Sequence, residues 1–134
     1  MFLRRLAVAG ALIAATTAGT LGTAGAAQAD TGHNGVCDTG SNGELCLYWD
    51  SNLGGSFHDY YAITADFGSD VFLSAGAGRG QRVKNNSASA LNNWYTTARV
   101  YYNENYGGPY DDVPAYSSRN LLRTWNDNAS FNWV

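Results

Sequence analysis

LYWDSNLGGSFHD at residues 47–59 and VYYNENYGGPYDD at residues 100–112 are two versions of one segment. Each is followed by a second matching element, NNSAS at residues 85–89 and NDNAS at residues 126–130. Two matching pairs in the same order indicate that one structural unit is used twice. In both copies a Gly pair separates two aromatic stretches, which predicts a folded hairpin with Gly at positive φ.

The rest of the chain has the pattern of short β-strands. Apolar and aromatic residues form short runs that are interrupted by Gly, Asn, Asp and Ser, and no run has a helical period of useful length. Tyr, Trp, Val, Thr and Phe suit a half-buried pleated surface. The sequence therefore predicts an all-β sandwich with at most a helical turn at residues 116–122. The longer first copy contains residues 68–80, GSDVFLSAGAGRG, which we expect to form a flexible loop. A loop on one copy alone is a natural place for function, and the alternative is a plain insertion.

The N-terminal segment is typical of an export signal. Arg4 and Arg5 precede a run of small and apolar residues that ends in an A-x-A pattern at residues 27–29. This pattern predicts a signal peptide over residues 1–29, cleaved between Ala29 and Asp30. A membrane anchor is the alternative, but the run is rich in Gly, Ala and Thr and no charged stop-transfer pattern follows it. We expect a secreted, extracellular protein with one domain at residues 30–134.

The composition of that domain excludes some partners. It has 6 basic and 11 acidic residues, a net charge of about −5. Without a Lys/Arg cluster, nucleic acid is not an expected partner. Only 14% of the residues of the chain are charged and 13% are aromatic, so we expect a packed domain. We further expect a monomer that does not bind membranes.

Two cysteines, Cys37 and Cys46, lie near the start of this domain. In an exported protein an even pair predicts a disulfide, worth about 2.5 to 3 kcal/mol by loop entropy. The bridge would hold an N-terminal arm beside the first strand.

Catalytic chemistry is not indicated by the sequence. His33 lies in a Gly/Asn-rich arm and His58 in a predicted hairpin strand, and no nucleophile motif or zinc-protease motif accompanies them. Asp111 and Asp112 are adjacent in a predicted strand, so their carboxylates would face opposite sides. We therefore expect a protein that is not an enzyme.

The repeated segments resemble the Greek-key motif of the βγ-crystallins. That signature is a tyrosine, four residues, an aromatic residue, one residue and a glycine. The second copy matches it fully with Tyr101, Tyr106 and Gly108. The first copy matches it with Tyr48, Leu53 and Gly55, so that leucine stands in the aromatic position. The resemblance implies a βγ-crystallin-like sandwich of two Greek keys, at about residues 46–97 and 98–134.

The same resemblance implies a calcium motif. NNSAS and NDNAS fit the first five positions of N/D-N/D-x-x-S/T-S, while Ala90 and Phe131 replace the serine at the sixth. The implied ligands are side chains of Asn86, Asp127, Ser89 and Ser130 and backbone carbonyls of Ser87 and Asn128. With one carboxylate in the set, affinity would be weak, of order tens of micromolar to millimolar. Alternatively, these residues cap a hairpin through hydrogen bonds to the backbone.

A narrower resemblance covers most of the domain. A cysteine-bearing arm leading into CLYWDSNLGG, then VKNN and ARVYYNENYGG, resembles peptidase inhibitor family I36 of actinomycetes. This implies a secreted inhibitor of an extracellular protease, with metalloproteases as one target class. Residues 68–80 and 116–124 are the candidate inhibitory loops. The alternatives are a calcium-binding structural or stress protein without inhibitory activity, and, by fold analogy alone, a toxin-like or cell-wall-binding protein.

Overall fold

The computed structural model describes residues 32–134 and has two antiparallel β-sheets. The predicted signal peptide and its cleavage site lie outside the described residues. The first sheet has the order β2-β1-β3-β6 and the second the order β5-β4-β7. The strands are β1 (Leu45–Asp50), β2 (Gly54–Tyr60), β3 (Ser89–Asn92), β4 (Ala98–Asn103), β5 (Gly107–Val113), β6 (Ser118–Asn120) and β7 (Ser130–Trp133). The predicted all-β sandwich is confirmed.

The two repeated segments form equivalent hairpins. In β1–β2, Tyr48 pairs with Phe57, and in β4–β5, Tyr101 pairs with Tyr110; each ladder shifts register just after the tyrosine. The turn of each hairpin holds two consecutive non-glycine residues at positive φ and, two positions after the second of them, a glycine at positive φ. These residues are Asn52, Leu53 and Gly55 in the first hairpin and Asn105, Tyr106 and Gly108 in the second. The repeat in the sequence is thus a repeat in backbone conformation.

Serine side chains hold both hairpins closed. Ser89 Oγ accepts the N–H of Leu53 at 3.0 Å and donates to Asp50 O at 2.6 Å. Ser130 Oγ accepts the N–H of Tyr106 at 3.1 Å and donates to Asn103 O. Positive φ costs an L-residue about 1–2 kcal/mol. The hydrogen bonds to the backbone of these turns help offset that cost.

Residues 118–120 correct one expectation. In place of a helical turn, Ser118–Asn120 form strand β6, which pairs with β3 of the first repeat. Edge pairing with β3 satisfies backbone groups that one short turn would leave to water. Within residues 32–134 the helical element assigned is a 3-10 turn, Gly40–Asn42.

The core lies between the sheets. Strand alternation turns Leu45 and Leu47 inward from β1, and Ala98 and Val100 inward from β4. Phe131 of β7 is fully buried with them. The other members of the cluster are Tyr60, Phe67, Phe72, Val83, Ala90, Val113 and Leu121.

The N-terminal arm is attached to the first sheet at several points. The predicted disulfide joins Cys37 to Cys46 of β1, with a Cα–Cα distance of 6.0 Å. The Asp59 carboxylate accepts the N–H groups of Asn34 at 2.9 Å and Gly35 at 2.7 Å. Asp59 is fully buried, so the arm covers it. Among residues 32–134, no helix is long and apolar enough to cross a bilayer.

Candidate functional site

The loop between β6 and β7 is held by one buried carboxylate. Asp111 Oδ2 accepts the N–H of Leu122 at 3.0 Å and the N–H of Thr124 at 2.8 Å. The Thr124 hydroxyl donates to the same oxygen at 2.8 Å. Asp111 is 4% exposed and Thr124 is fully buried. We call residues 121–124 the braced loop.

Strand alternation explains why Asp111 reaches this loop. In β5 the side chains of Asp111 and Val113 point inward, and Asp112 points outward to form a bidentate ion pair with Arg99 at 2.7 and 3.0 Å. The two carboxylates therefore have different roles, as strand alternation requires. Arg119 lies 3.8 Å from Asp111 Oδ1 and adds positive charge beside it.

The side chains on the braced loop project into solvent. Leu122 is 72% exposed although the amides of Leu122 and Thr124 are bound to Asp111. Arg123 is also exposed, and Tyr116 in the preceding segment is 68% exposed. An exposed leucine and arginine on a fixed backbone are available to a partner without a prior ordering step.

The other loop predicted from the sequence, residues 68–80, is not the flexible loop we expected. Leu73 N donates to Phe57 O at 2.9 Å, and Ser56 N donates to Ala77 O at 2.8 Å, so the loop is bonded to β2 at two places. Phe72 is buried and its ring lies 5.6 Å from that of Trp49. These bonds and this packing fix the loop.

The tip of the same loop has little apolar surface to offer. Gly78 lies against Trp49 so closely that a Cβ there would meet the indole at 2.2 Å. The tip sequence, AGAGRG at residues 75–80, has Arg79 as its one large side chain. The tip therefore presents no large apolar side chain to a partner.

A third exposed segment, which the sequence did not indicate, crosses to the second sheet. Thr64 exchanges backbone hydrogen bonds with Phe131 at 3.0 and 3.1 Å. Ile63, the preceding residue, is 52% exposed. Residues 61–66 thus present a second apolar side chain on a tethered backbone.

The residues predicted to bind calcium are largely engaged in other bonds. The hydroxyls of Ser89 and Ser130 bind the hairpins, as described above. Ser87 O accepts Asn126 N–H at 3.0 Å and Asn128 Nδ2–H at 2.8 Å, while Asn128 O accepts Asn85 N–H at 2.8 Å. Four of the six predicted ligand oxygens therefore already have partners in the protein, and the Asn86 amide group also donates from Nδ2 to Arg82 O at 2.8 Å.

The remaining two side chains lie in two clefts related by the repeat. Asp127 lines a cleft with Lys84, Glu104 and Asn103, whereas Asn86 lines one with Trp125, Ser51 and Asp50. Lys84 and Trp125 occupy equivalent positions, each just before an Asn pair or Asn-Asp pair.

Lys84 already supplies positive charge to its cleft. Its ammonium forms ion pairs with Glu104 and with Asp66, the latter at 2.9 Å. These hydrogen bonds raise the pKa of Lys84, and the hydrogen bond from Lys84 is the main cause of a lowered pKa for Asp66. The residues present thus fit calcium only in part, and calcium binding stays a prediction.

Comparison with known proteins agrees with this architecture. Residues 31–113 match the model of peptidase inhibitor family I36. A solved structure from work on the evolution of the eye-lens βγ-crystallin domain fold superposes with a TM-score of 0.58 at 18% identity, covering 75% of this chain and 93% of that chain. An archaeal βγ-crystallin superposes with a TM-score of 0.51 at 21% identity, covering 68% of this chain and 96% of that chain. At these identities the solved structures show the fold alone. No curated protein sequence matches the chain.

Proposed function

The chain belongs to peptidase inhibitor family I36, and from this premise we propose that it is a secreted protein that inhibits an extracellular protease by occluding the protease cleft with the braced loop. The match over residues 31–113 is the observation that carries the proposal, because it spans the arm, the first repeat and the second hairpin. Asp111, which holds the braced loop, lies within the matched region, and the loop itself follows it.

The bonds to Asp111 supply the property that an inhibitory loop needs. A loop already fixed in its bound conformation loses less entropy when it enters a cleft. Asp111 Oδ2 holds Leu122 N and Thr124 N, on the two sides of Arg123. If the protease cut the peptide bond between Leu122 and Arg123, both ends would remain attached to the same carboxylate. The cut would therefore be readily resealed, and the complex would persist.

The two exposed side chains of the braced loop predict which proteases fit. Leu122 suits an apolar specificity pocket, and Arg123 suits a pocket with a carboxylate at its base. Metalloproteases stay one candidate class of target. The class of the target protease is proposed here from the two side chains of the loop. The segment 61–66, with Ile63 exposed, is the competing contact surface on this chain.

Two features support the wider proposal, and a third weighs against its alternative. The disulfide between Cys37 and Cys46 is typical of an oxidising, extracellular compartment. Membership in an inhibitor family agrees with the expectation that the protein is not an enzyme. The alternative, a calcium-binding structural or stress protein without inhibitory activity, has weaker support, because four of the six predicted ligand groups already have partners.

The proposal is tested with a panel of thermolysin-like, subtilisin-like, chymotrypsin-like and trypsin-like enzymes. Purified protein is incubated with each enzyme, with and without calcium, and the residual activity on a peptide substrate is measured. We expect inhibition of at least one enzyme at micromolar protein. Absence of inhibition across the panel, with the protein intact by mass spectrometry, would remove the inhibitor assignment. Leu122→Ala and Arg123→Ala then show which side chain enters the pocket.

A further inference from the structure

The two histidines of the chain meet at the junction of the N-terminal arm and the first repeat. His33 Nδ1 lies 2.7 Å from His58 Nε2, although the residues are 25 positions apart. Asp70, from the start of the 68–80 loop, brings a carboxylate to the same place, and the ligand atoms of the three residues all lie within 4.8 Å of one another. We propose that His33, His58 and Asp70 form a binding site for a zinc ion or a similar transition-metal ion.

The His58 ring is oriented as a metal ligand requires. Its Nδ1 lies 2.6 Å from the carbonyl oxygen of Val71, so Nδ1 carries the proton and donates it to that oxygen. The lone pair of Nε2 then points toward His33 Nδ1. Histidines that bind metals usually donate the other ring N–H to a carbonyl or carboxylate in this way. His58 is 3% exposed, so its ring has little freedom to turn.

The Asp70 carboxylate is oriented by a neighbour. The buried Tyr60 hydroxyl donates to Asp70 Oδ2 at 3.0 Å. Val83 N donates to the backbone oxygen of Asp70 at 2.9 Å, which fixes the start of the loop. A hydrogen bond of this kind holds a carboxylate in the orientation that a metal ligand needs.

The third ligand sits on a backbone held in place for it. His33 N donates to Asp59 O at 2.8 Å, and the next two amides bind the Asp59 carboxylate. His33 has φ of +62°, a conformation that an L-residue adopts at a cost. The anchoring and the Cys37–Cys46 disulfide maintain this conformation, which brings the imidazole over His58.

The donor set favours zinc over calcium. Two imidazole nitrogens and one carboxylate are ligands of zinc, copper and nickel, whereas calcium takes oxygen ligands. Tetrahedral Zn–N bonds of about 2.0–2.1 Å place two ligating nitrogens about 3.3 Å apart. The histidine nitrogens must therefore separate by about 0.6 Å from 2.7 Å, and ligand atoms that lie as far as 4.8 Å apart must approach by about 1.5 Å. Exposed His33 can move by that amount, and its solvent side leaves the fourth position to water.

This site is independent of the proposed inhibition, because it lies in the arm and the first repeat and uses no residue of the braced loop. In the second repeat the position equivalent to His58 is Asp111, by the register of the two hairpins. The metal site is thus a property of the first repeat and the arm.

The test is a zinc titration of the full protein. The protein carries no histidine tag, the residues next to His33 are unaltered, and a chelator removes bound metal beforehand. Isothermal titration calorimetry should give one zinc per chain. The imidazole proton signals of the two histidines, followed by NMR, should both shift with zinc and saturate together. His33→Asn keeps a residue that tolerates positive φ and removes the ligand, so it should weaken zinc binding at least tenfold. Asp70→Asn should also weaken it.

Asp112→Asn is the matched control, because it removes a partly exposed carboxylate from the outward face of β5, which belongs to no proposed metal site, and should leave zinc affinity unchanged. Thermal melts confirm that each variant folds. The proposal is overturned if the wild-type protein takes up no zinc at 100-fold molar excess. It is equally overturned if folded His33→Asn binds zinc as tightly as wild type, or if the histidine signals do not move.

Discussion

Replacing Asp111 should loosen the braced loop and weaken the fold together. In Asp111→Ala the buried N–H and hydroxyl of Thr124 lose their acceptor, and each such group costs about 1–3 kcal/mol. Leu122 N–H can turn to water, since Leu122 is exposed, and the ion pair to Arg119 at 3.8 Å adds less than about 1 kcal/mol. We expect the free energy of unfolding to fall by about 2–6 kcal/mol.

Two milder variants should lose less stability. Asp111→Asn keeps an acceptor oxygen but loses the charge, and should cost about 1–2 kcal/mol. Thr124→Val removes the hydroxyl bond alone and should cost about 1 kcal/mol. Urea denaturation followed by tryptophan fluorescence gives the free energies, and hydrogen exchange of the Leu122 and Thr124 amides reports on the loop. If Asp111→Ala stays within about 0.5 kcal/mol of wild type and both amides remain protected, the bracing role of Asp111 is wrong.

Two other predictions concern the arm and the lysine-containing cleft. Replacing Cys37 by Ser and Cys46 by Ala opens the loop that the disulfide closes, with a sequence separation of 9. The free energy of unfolding in urea should fall by about 2.5 to 3 kcal/mol, and an unchanged midpoint would show that the disulfide does not constrain the chain. Calcium should produce heat and raise the melting temperature only near millimolar concentration, because the Lys84 ammonium already pairs with Glu104 and Asp66. Lys84→Met should strengthen calcium binding. If neither the wild-type protein nor Lys84→Met responds to millimolar calcium, the prediction of calcium binding is wrong.

The fold could be predicted from the sequence because the patterns that indicate it are local and occur twice. The Gly pairs after aromatic stretches predicted both hairpins, and these have matching positive-φ turns at Asn52 and Leu53 and at Asn105 and Tyr106. Strand β6 was missed because Ser118–Asn120 has neither alternation nor β-branched residues, and its pairing with β3 comes from a distant part of the chain. Long-range pairing of that kind leaves no short-range pattern.

The candidate sites were harder to predict from the sequence, because they depend on contacts between distant parts of the chain. The separate roles of Asp111 and Asp112 follow from strand alternation, but the position of Thr124 against Asp111 depends on the packing of the loop. The meeting of His33 with His58 depends on an arm whose course is fixed by the disulfide and by Asp59. A glycine-rich composition at residues 68–80 predicted flexibility, and backbone bonds to β2, which composition does not reveal, hold the loop in place.

The central claim is that the braced loop enters the protease cleft, and one pair of variants tests it most directly. Leu122→Asp and Ile63→Asp each replace an exposed apolar side chain with a charged one. Leu122 is 72% exposed and Ile63 is 52% exposed, so neither substitution should change the free energy of unfolding by more than about 0.5 kcal/mol. The inhibition constant of each is measured against the enzyme that the wild-type protein inhibits most strongly. The account predicts that Leu122→Asp raises this constant at least 100-fold and that Ile63→Asp leaves it unchanged. Full inhibition by Leu122→Asp and by Arg123→Asp, or loss of inhibition in Ile63→Asp alone, would contradict it.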